Sequence, residues 1–199
     1  ELLAPLSFDR ALCSDYPRAR QTAELLLDGR GTTLEGSAAL REVRAGRLRE
    51  IALEQLQQRV CQAYANLDDV GGDFLGGERW DAFETRILQR FRGLLHEPDW
   101  QQLLIVSHDA VNRLLLGWAL GGSRGCAAAL EQDNACLNII DIDMQGEHVL
   151  QRFVRVVNLT PYDLHKTSEP RTVMERIHAQ IALFAAPIEP HRAENRVQP

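Results

Sequence analysis

Lysine is almost missing from this sequence of 199 residues. Lys166 is the only lysine among 22 lysine and arginine residues, which leaves 21 arginines. Arginine recognises phosphate and carboxylate groups in a bidentate geometry, so the excess is consistent with an anionic ligand. A biased genomic composition explains it as well.

Long apolar runs and an excess of positive charge are also lacking. No run approaches the length of about 20 residues that a membrane-spanning helix needs, so we expect no membrane segment. The formal net charge of −6 disfavours nucleic acid as a partner, because proteins that bind nucleic acids carry a basic face. The length and the hydrophobic fraction of 45% predict one folded domain.

The four cysteines lack the paired spacing of a zinc site or a disulfide framework. We therefore predict no metal site, and a reducing, cytoplasmic location. Four residues separate Cys13 from Arg18, whereas cysteine phosphatases use a Cys-x5-Arg loop. The apolar neighbours Ala11 and Leu12 favour a buried strand residue over a nucleophile at Cys13.

A strand, a polar tip and a helix are predicted in order from Ala11 onwards. Pro17 suits the first position of a helix, where its missing N–H is not needed, and Ser14 or Asp15 can cap the free N–H groups. Arg18 then lies in the first helical turn, just past the carboxyl end of the strand. Ligands of α/β proteins collect there, and a helix N-terminus favours anions. We predict that Arg18 binds phosphate.

The same order of elements recurs further along the chain. Leu103–Val106 is a short apolar run typical of a buried parallel strand, and a helix is predicted over 110–120. His108 lies between them, at the carboxyl end of the strand, which favours a functional role over a purely structural one. Ser107 and Asp109 cannot complete a nucleophilic triad with it, because adjacent residues do not line up in that way.

Glu42 lies in a segment dense in charge, over 40–47. Spacing alone leaves two interpretations open: a solvated loop, or a positioned carboxylate whose neighbouring arginines help to hold an anionic substrate.

The remaining patterns predict the other elements. Helices are predicted over 51–67, 80–94 and 172–184, a hairpin over 138–143 and 149–157, and a loose tail over 187–199. Parallel strands with crossover helices and an antiparallel pair near the end predict an α/β protein with a mixed sheet.

Three segments occur in a recognisable order along the chain. They are Ser14-x3-Arg18-Ala19-x-Gln21-Thr22-Ala23, then Leu40-Arg41-Glu42 with Gly46, and then Ile105-Val106-Ser107-His108. Gly77-Glu78 ahead of a helix with Arg86 is a fourth, weaker match. Each segment alone is a weak signal. Together, over about 8–158, they resemble the histidine phosphatase superfamily, which is also called phosphoglycerate mutase-like.

The resemblance implies an architecture. The fold is expected to be a three-layer sandwich with a mixed, mostly parallel central sheet flanked by helices. Residues 1–160 would form this domain, with 51–80 as a small cap insertion. Residues 161–199 would be a C-terminal extension made of a helix and a loose tail.

The resemblance also implies a chemistry, namely phosphoryl transfer through a phosphohistidine without metal or cofactor. Arg18 and His108 would hold the phosphate oxygens, with His108 protonated or donating. Glu42 would be the general acid that protonates the leaving oxygen and later activates water. Arginines normally lower the pKa of a nearby carboxyl group, so Glu42 would need burial or the bound phosphate dianion to keep its proton.

The family's nucleophile is missing from this sequence. The resemblance implies that the histidine of an Arg-His-Gly motif, on the first strand, attacks phosphorus, and no such motif occurs. The other histidines stand in contexts that do not resemble it: His96, His148, His165, His178 and His191. We therefore expect a further segment ahead of Glu1 that carries the motif, on a central strand beside the Ala11 and Ile105 strands.

Two further departures concern the substrate. Asp109 stands where the family often has glycine, and Leu48-Arg49-Glu50 replaces an aromatic-acid-glycine run. The leading hypothesis is a histidine acid-type phosphatase, a phosphomonoester hydrolase for a small phosphorylated metabolite, as a monomer or homodimer. The alternatives are a phosphoglycerate mutase-type enzyme and a non-catalytic relative that binds phosphorylated ligands or a partner protein.

Overall fold

Five strands and five α-helices make up the part of the chain that the computed structural model describes, residues 3–97 and 100–185. The strands are β1 (Arg10–Ser14), β2 (Leu34–Ser37), β3 (Leu103–Val106), β4 (Leu137–Gln145) and β5 (His148–Leu159). The helices are α1 (Pro17–Leu27), α2 (Leu53–Cys61), α3 (Trp80–Leu95), α4 (Asp109–Leu120) and α5 (Val173–Ala185). None of these helices is both long and apolar enough to cross a membrane.

The strands form two hydrogen-bonded sheets. In the first, β1 lies between β2 and β3 and all three are parallel; in the second, β4 and β5 are antiparallel. Leu12 of β1 lies opposite Ile105 of β3. The expectation of a further strand beside both of these strands is wrong for β1, because β2 and β3 already occupy its two edges.

Alternating side chains of β1 divide the core between two faces. Ala11 packs with Leu27 of α1 and Leu104 of β3 on one face. Leu12 points to the opposite face and belongs to the larger core cluster, because successive strand residues alternate in direction. Helices therefore cover both faces of the parallel sheet, which confirms the predicted α/β sandwich.

The larger core is built around α3 and α4. The predicted apolar face of α3 is buried, with Trp80, Phe83 and Ile87 almost fully shielded from solvent. The hairpin of β4 and β5 packs on α4, where Arg152 donates a hydrogen bond of 2.6 Å to the carbonyl oxygen of Trp118.

Two further helices, α2 and α5, pack onto this core. Helix α2 ends at Cys61 rather than near residue 67, because the chain tightens into turns with hydrogen bonds such as the one from Ala65 N to Gln62 O, 2.9 Å. Helix α5 packs on α2, and its Met174 is only 4% exposed and joins the core. The predicted tail over 187–199 lies outside the described residues, and the division into domain, cap and extension stays a prediction.

Candidate active site

Two of the predicted site residues meet because their strands are neighbours. β1 and β3 are parallel and adjacent, so their carboxyl ends lie side by side. Arg18 follows β1 in the first turn of α1, and His108 follows β3 directly ahead of α4. One guanidinium nitrogen of Arg18, Nη2, lies 3.1 Å from Nδ1 of His108. Positions 90 residues apart in the sequence thus share one contact.

The start of α1 follows the prediction in one respect and departs from it in another. Pro17 occupies the first helical position, as predicted, but neither Ser14 nor Asp15 caps the helix. Ser14 is fully buried and accepts a hydrogen bond from the backbone N–H of Tyr16, and Asp15 pairs with Arg41. Asp15 therefore forms an ion pair at the rim of the site and does not cap helix α1.

Glu42 reaches the same place from the end of β2. Its Oε1 and Oε2 lie 3.2 and 3.4 Å from the backbone nitrogen of Ala110, and Oε1 also accepts from the backbone N–H of Val43 at 2.9 Å. Ser107 donates a hydrogen bond of 2.8 Å to the carbonyl oxygen of Leu40, which ties the end of β3 to the Glu42 segment. The Glu42 carboxyl group is thus held by backbone N–H groups, and its part in holding an anionic substrate stays a prediction.

The surroundings of Glu42 favour its neutral form. Burial of the carboxyl group, followed by the charge of Asp109, raises the pKa of Glu42 to about 7, against the opposing effects of two backbone N–H groups and Arg18. Burial is one of the two explanations that the sequence left for a protonated Glu42. The acid form is therefore well populated at neutral pH before any phosphate binds.

His108 is held as a neutral donor. Burial, together with the charges of Arg18 and Arg86, lowers the pKa of His108 to about 4, which favours the donating form over the protonated form of the two that the resemblance implies. A guanidinium can only donate, so Nδ1 accepts from Arg18 and Nε2 carries the hydrogen. Nε2 is buried and has no hydrogen-bond partner among the described residues, which leaves it ready to donate to a ligand.

An aromatic ring and a further ion pair complete the rim. Arg41 and Asp15 form a two-pronged ion pair at 2.6 and 2.7 Å, which lowers the pKa of Asp15. The ring of Tyr16 lies 5.0 Å from the Arg18 guanidinium carbon, 5.4 Å from that of Arg41 and 5.5 Å from the His108 ring. Arg41 and His108 reach the Tyr16 ring from distant segments, so no short-range spacing predicts this cluster.

The loop with Glu42 is held from behind by Glu78 and Arg86, a pair that we call the clamp. Arg86 donates to the carbonyl oxygens of Ala39 and Glu42 at 2.7 and 3.2 Å, and to the Glu78 carboxylate at 2.8 and 3.1 Å. Glu78 also accepts from the backbone N–H of Arg44 at 3.1 Å. The weakest of the four sequence matches is therefore a support for the Glu42 loop.

The clamp lies beside a contact between two backbones. A side-chain carbon added at Gly77 would lie 2.1 Å from the carbonyl oxygen of Arg44, and one added at Gly46 would lie 2.6 Å from that of Gly76. Only glycine lets the two loops approach this closely.

Substituting Gly77 is expected to loosen both the fold and the site. Gly77→Ala should lower the free energy of unfolding by about 1–3 kcal/mol, the usual range for overpacking, and should lower activity by displacing the Glu42 loop. Gly93→Ala is the control, because Gly93 is exposed on α3 with open space around it and alanine there should stabilise by about 0.5–1 kcal/mol. Urea unfolding measures both, and an unchanged midpoint for Gly77→Ala would contradict the close contact.

Two other sequence predictions concern cysteines and metals. Cys13 is a fully buried residue of β1, as predicted. Within the two described ranges, no group of three or more histidine, cysteine, aspartate or glutamate side chains is placed to hold a metal ion.

Comparison with known proteins places this chain in a family. The profile of the histidine phosphatase superfamily (branch 1) matches residues 1–154. The adenosylcobalamin/alpha-ribazole phosphatase of Salmonella typhimurium (strain LT2) is 34% identical over 144 residues, which cover 71% of each protein. The 2-carboxy-D-arabinitol-1-phosphatase of Triticum aestivum is 30% identical over 148 residues, 70% of this chain and 28% of that protein.

A solved structure agrees with these sequence matches. The alpha-ribazole phosphatase from Shigella flexneri superposes with a TM-score of 0.58 at 27% identity, over 77% of this chain and 74% of that one. Because the family profile covers most of the chain and the same fold recurs in a relative, this chain belongs to the histidine phosphatase superfamily, branch 1.

Proposed function

We propose that this protein hydrolyses the phosphate monoester of a small metabolite through a phosphohistidine. The observation that carries the proposal is the meeting of Arg18, His108 and Glu42 at the carboxyl ends of three adjacent parallel strands. Phosphoryl transfer needs charge and donors around the three equatorial oxygens, and an acid at the leaving oxygen.

Each of the three side chains has a role that its surroundings suit. The two arms of the Arg18 guanidinium bind two phosphate oxygens, and the Nε2–H of His108 donates a hydrogen bond to the third equatorial oxygen. A bound phosphate dianion raises the pKa of His108, since an opposite charge favours the imidazolium. Glu42, still protonated near pH 7, gives its proton to the leaving oxygen.

The reaction has two balanced steps. A histidine nitrogen forms a bond to phosphorus as the ester P–O bond breaks, and the leaving alcohol takes the proton of Glu42. Water then attacks phosphorus, its proton passes to the Glu42 carboxylate, and the histidine leaves with inorganic phosphate as product. None of the six histidines of this sequence stands in the family's Arg-His-Gly motif. The histidine that attacks phosphorus is therefore to be identified by trapping the phosphoprotein.

The substrate class is taken from the relatives. Proteins named alpha-ribazole phosphatase match this chain in both sequence and structure. We therefore propose a small phosphorylated metabolite as substrate, and alpha-ribazole phosphate is the first compound to test. A mutase would need residues that hold a second acidic group, and the described site offers none that we can assign.

The test uses the full-length natural protein with p-nitrophenyl phosphate, alpha-ribazole phosphate and 3-phosphoglycerate. We expect release of inorganic phosphate with the basic limb of the pH profile near 7, where Glu42 loses its proton. Quenching during turnover should trap a phosphoprotein that is stable to base and labile to acid. Saturable phosphate binding without turnover would overturn the proposal and assign a non-catalytic, phosphate-binding protein.

A further inference from the structure

A carboxylate that is only 16% exposed lies directly beside the proposed site and takes no part in the reaction scheme above. Asp109 follows His108 and opens helix α4. Its Oδ1 accepts a hydrogen bond of 2.6 Å from Nε of Arg113, and its Oδ2 accepts one of 2.8 Å from the hydroxyl of Tyr64. Arg113 is only 1% exposed, and its guanidinium carbon lies 4.6 Å from the centre of the Tyr64 ring. Both oxygens of Asp109 are thus fixed from two sides.

The same carboxylate is a close neighbour of Glu42. The backbone N–H that both Glu42 oxygens accept belongs to Ala110, the residue after Asp109. Glu42 and Asp109 are therefore close neighbours, and both are only partly exposed, with the Asp109 side chain 16% exposed. Two carboxyl groups in such a site do not both ionise readily, and the one with the better cationic partner takes the charge. Within the described residues Asp109 has Arg113, whereas Glu42 has no ion pair within 4.0 Å.

We propose that Asp109 is a positioning residue whose fixed negative charge keeps the neighbouring Glu42 in its protonated form. The inference rests on the proposed function, in which Glu42 is the general acid. It gives a purpose to an acidic residue at a position where the family often has glycine. Arg113 and Tyr64 hold the negative charge on Asp109, so the proton stays on Glu42 and does not move to Asp109.

Other charged and titratable groups face the two carboxyl groups, and they act in both directions. Arg18, from α1, opposes the effect of Asp109 on Glu42. Arg86, from α3, bonds the backbone of Glu42 but not its carboxyl group. His108 is neutral here, with its pKa lowered to about 4. The pKa of Asp109 is itself raised, first by burial and also by Glu131 on the far side, while Arg113 and Tyr64 oppose the rise. Burial raises the pKa of the Cys136 thiol, and the charge of Asp109 adds a smaller rise.

The support for Asp109 extends to the C-terminal helix. Arg113 donates to Oε1 of Glu131 at 3.0 Å, and Oε2 of Glu131 accepts from the backbone N–H of Val173 at 3.1 Å. Val173 is the first residue of α5 and lies beyond residue 154, where the family match ends. A segment outside the matched region therefore helps to orient the arginine that holds Asp109.

The test is Asp109→Asn in the full-length protein, with Glu42 followed by carbon-13 NMR of its carboxyl group. Asparagine keeps the shape and removes the charge, so the midpoint of Glu42 should fall by about one pH unit from its value near 7. The basic limb of kcat/KM should move down by the same amount, which lowers kcat/KM about fivefold to tenfold above pH 7 and little below pH 5.5. A merely structural loss would lower activity at every pH.

Two further variants complete the test. Glu24→Gln removes one negative charge from an exposed ion pair on α1 and should leave the midpoint of Glu42 unchanged. If Asp109→Asn does not fold, Tyr64→Phe weakens the ionised form of Asp109 and should shift Glu42 in the same direction by a smaller amount. An unchanged or raised midpoint of Glu42 overturns the inference. The NMR titration needs no turnover, so an inactive wild type would refute the proposed function separately.

Discussion

Glu42→Gln is expected to lower turnover by about 10²–10⁴-fold, the usual contribution of a general acid or base, without weakening phosphate binding. Glutamine keeps the shape of the side chain but has no proton to give and cannot activate water. The loss should be larger for an alkyl phosphate than for p-nitrophenyl phosphate, because p-nitrophenolate leaves without an acid. With p-nitrophenyl phosphate, rapid mixing should show one burst of p-nitrophenol and then slow release of phosphate.

Stability separates this result from a folding defect. Folded Glu42 has its pKa raised from 4.5 to about 7, so the unfolded chain ionises first as the pH rises. Stability is therefore lost between about pH 4.5 and 7, and Glu42→Gln should recover about 1–3 kcal/mol at pH 8 and nothing at pH 4.

The control for this substitution comes from the neighbouring segment. Glu50→Gln changes an exposed carboxylate that faces Arg47 at 3.4 Å, and it should alter neither turnover nor stability. A Glu42→Gln protein that turns over at the wild-type rate, or that is less stable at pH 8, would contradict the assignment of Glu42.

Arg18→Ala is expected to lower kcat/KM by about 10²–10³-fold and to weaken inhibition by inorganic phosphate or vanadate in parallel. The substitution removes the charge and the fork that would bind phosphate, and it removes the donor to Nδ1 of His108. Arg18→Lys should recover only part of the loss, because an ammonium group restores the charge without the fork.

The matched control lies two residues further along the same helix. Arg20→Ala removes a guanidinium that is half exposed and pairs with Glu24 on the surface, so phosphate inhibition should not change. Equal losses in the two variants would mean that the helix, and not the guanidinium at position 18, accounts for the effect.

Local patterns predicted the parts of the site that local geometry controls. The apolar run Leu103–Val106 matches β3 residue for residue, and this run alone predicts that His108 follows the carboxyl end of a strand. Glu42 stayed ambiguous because its hydrogen-bond partner, the N–H of Ala110, comes from a segment 68 residues away. Only the order of the matched segments connected the three residues in advance.

Long-range pairs account for what the sequence did not predict. Asp15 and Arg41, 26 residues apart, pair by tertiary contact, and no spacing in the sequence predicts that pair. Glu78 and Arg86 belong to the fourth sequence match, but their support of the Glu42 loop depends on contacts with the carbonyl oxygens of Ala39 and Glu42. Asp109 and Arg113 are the exception, because opposite charges four residues apart on a helix are neighbours. That spacing, read with the missing glycine at position 109, could have indicated the buried pair.

The clamp has a consequence for laboratory evolution. Residues 74–78 belong to the predicted cap, and they touch the Glu42 loop through main-chain bonds such as that from Glu78 N to Arg44 O, 2.7 Å. Libraries that insert or delete residues there in search of new specificity would therefore shift the rate of bond cleavage at the same time. Libraries confined to the exposed side of α2, such as Gln57 and Gln58, would leave these main-chain bonds intact.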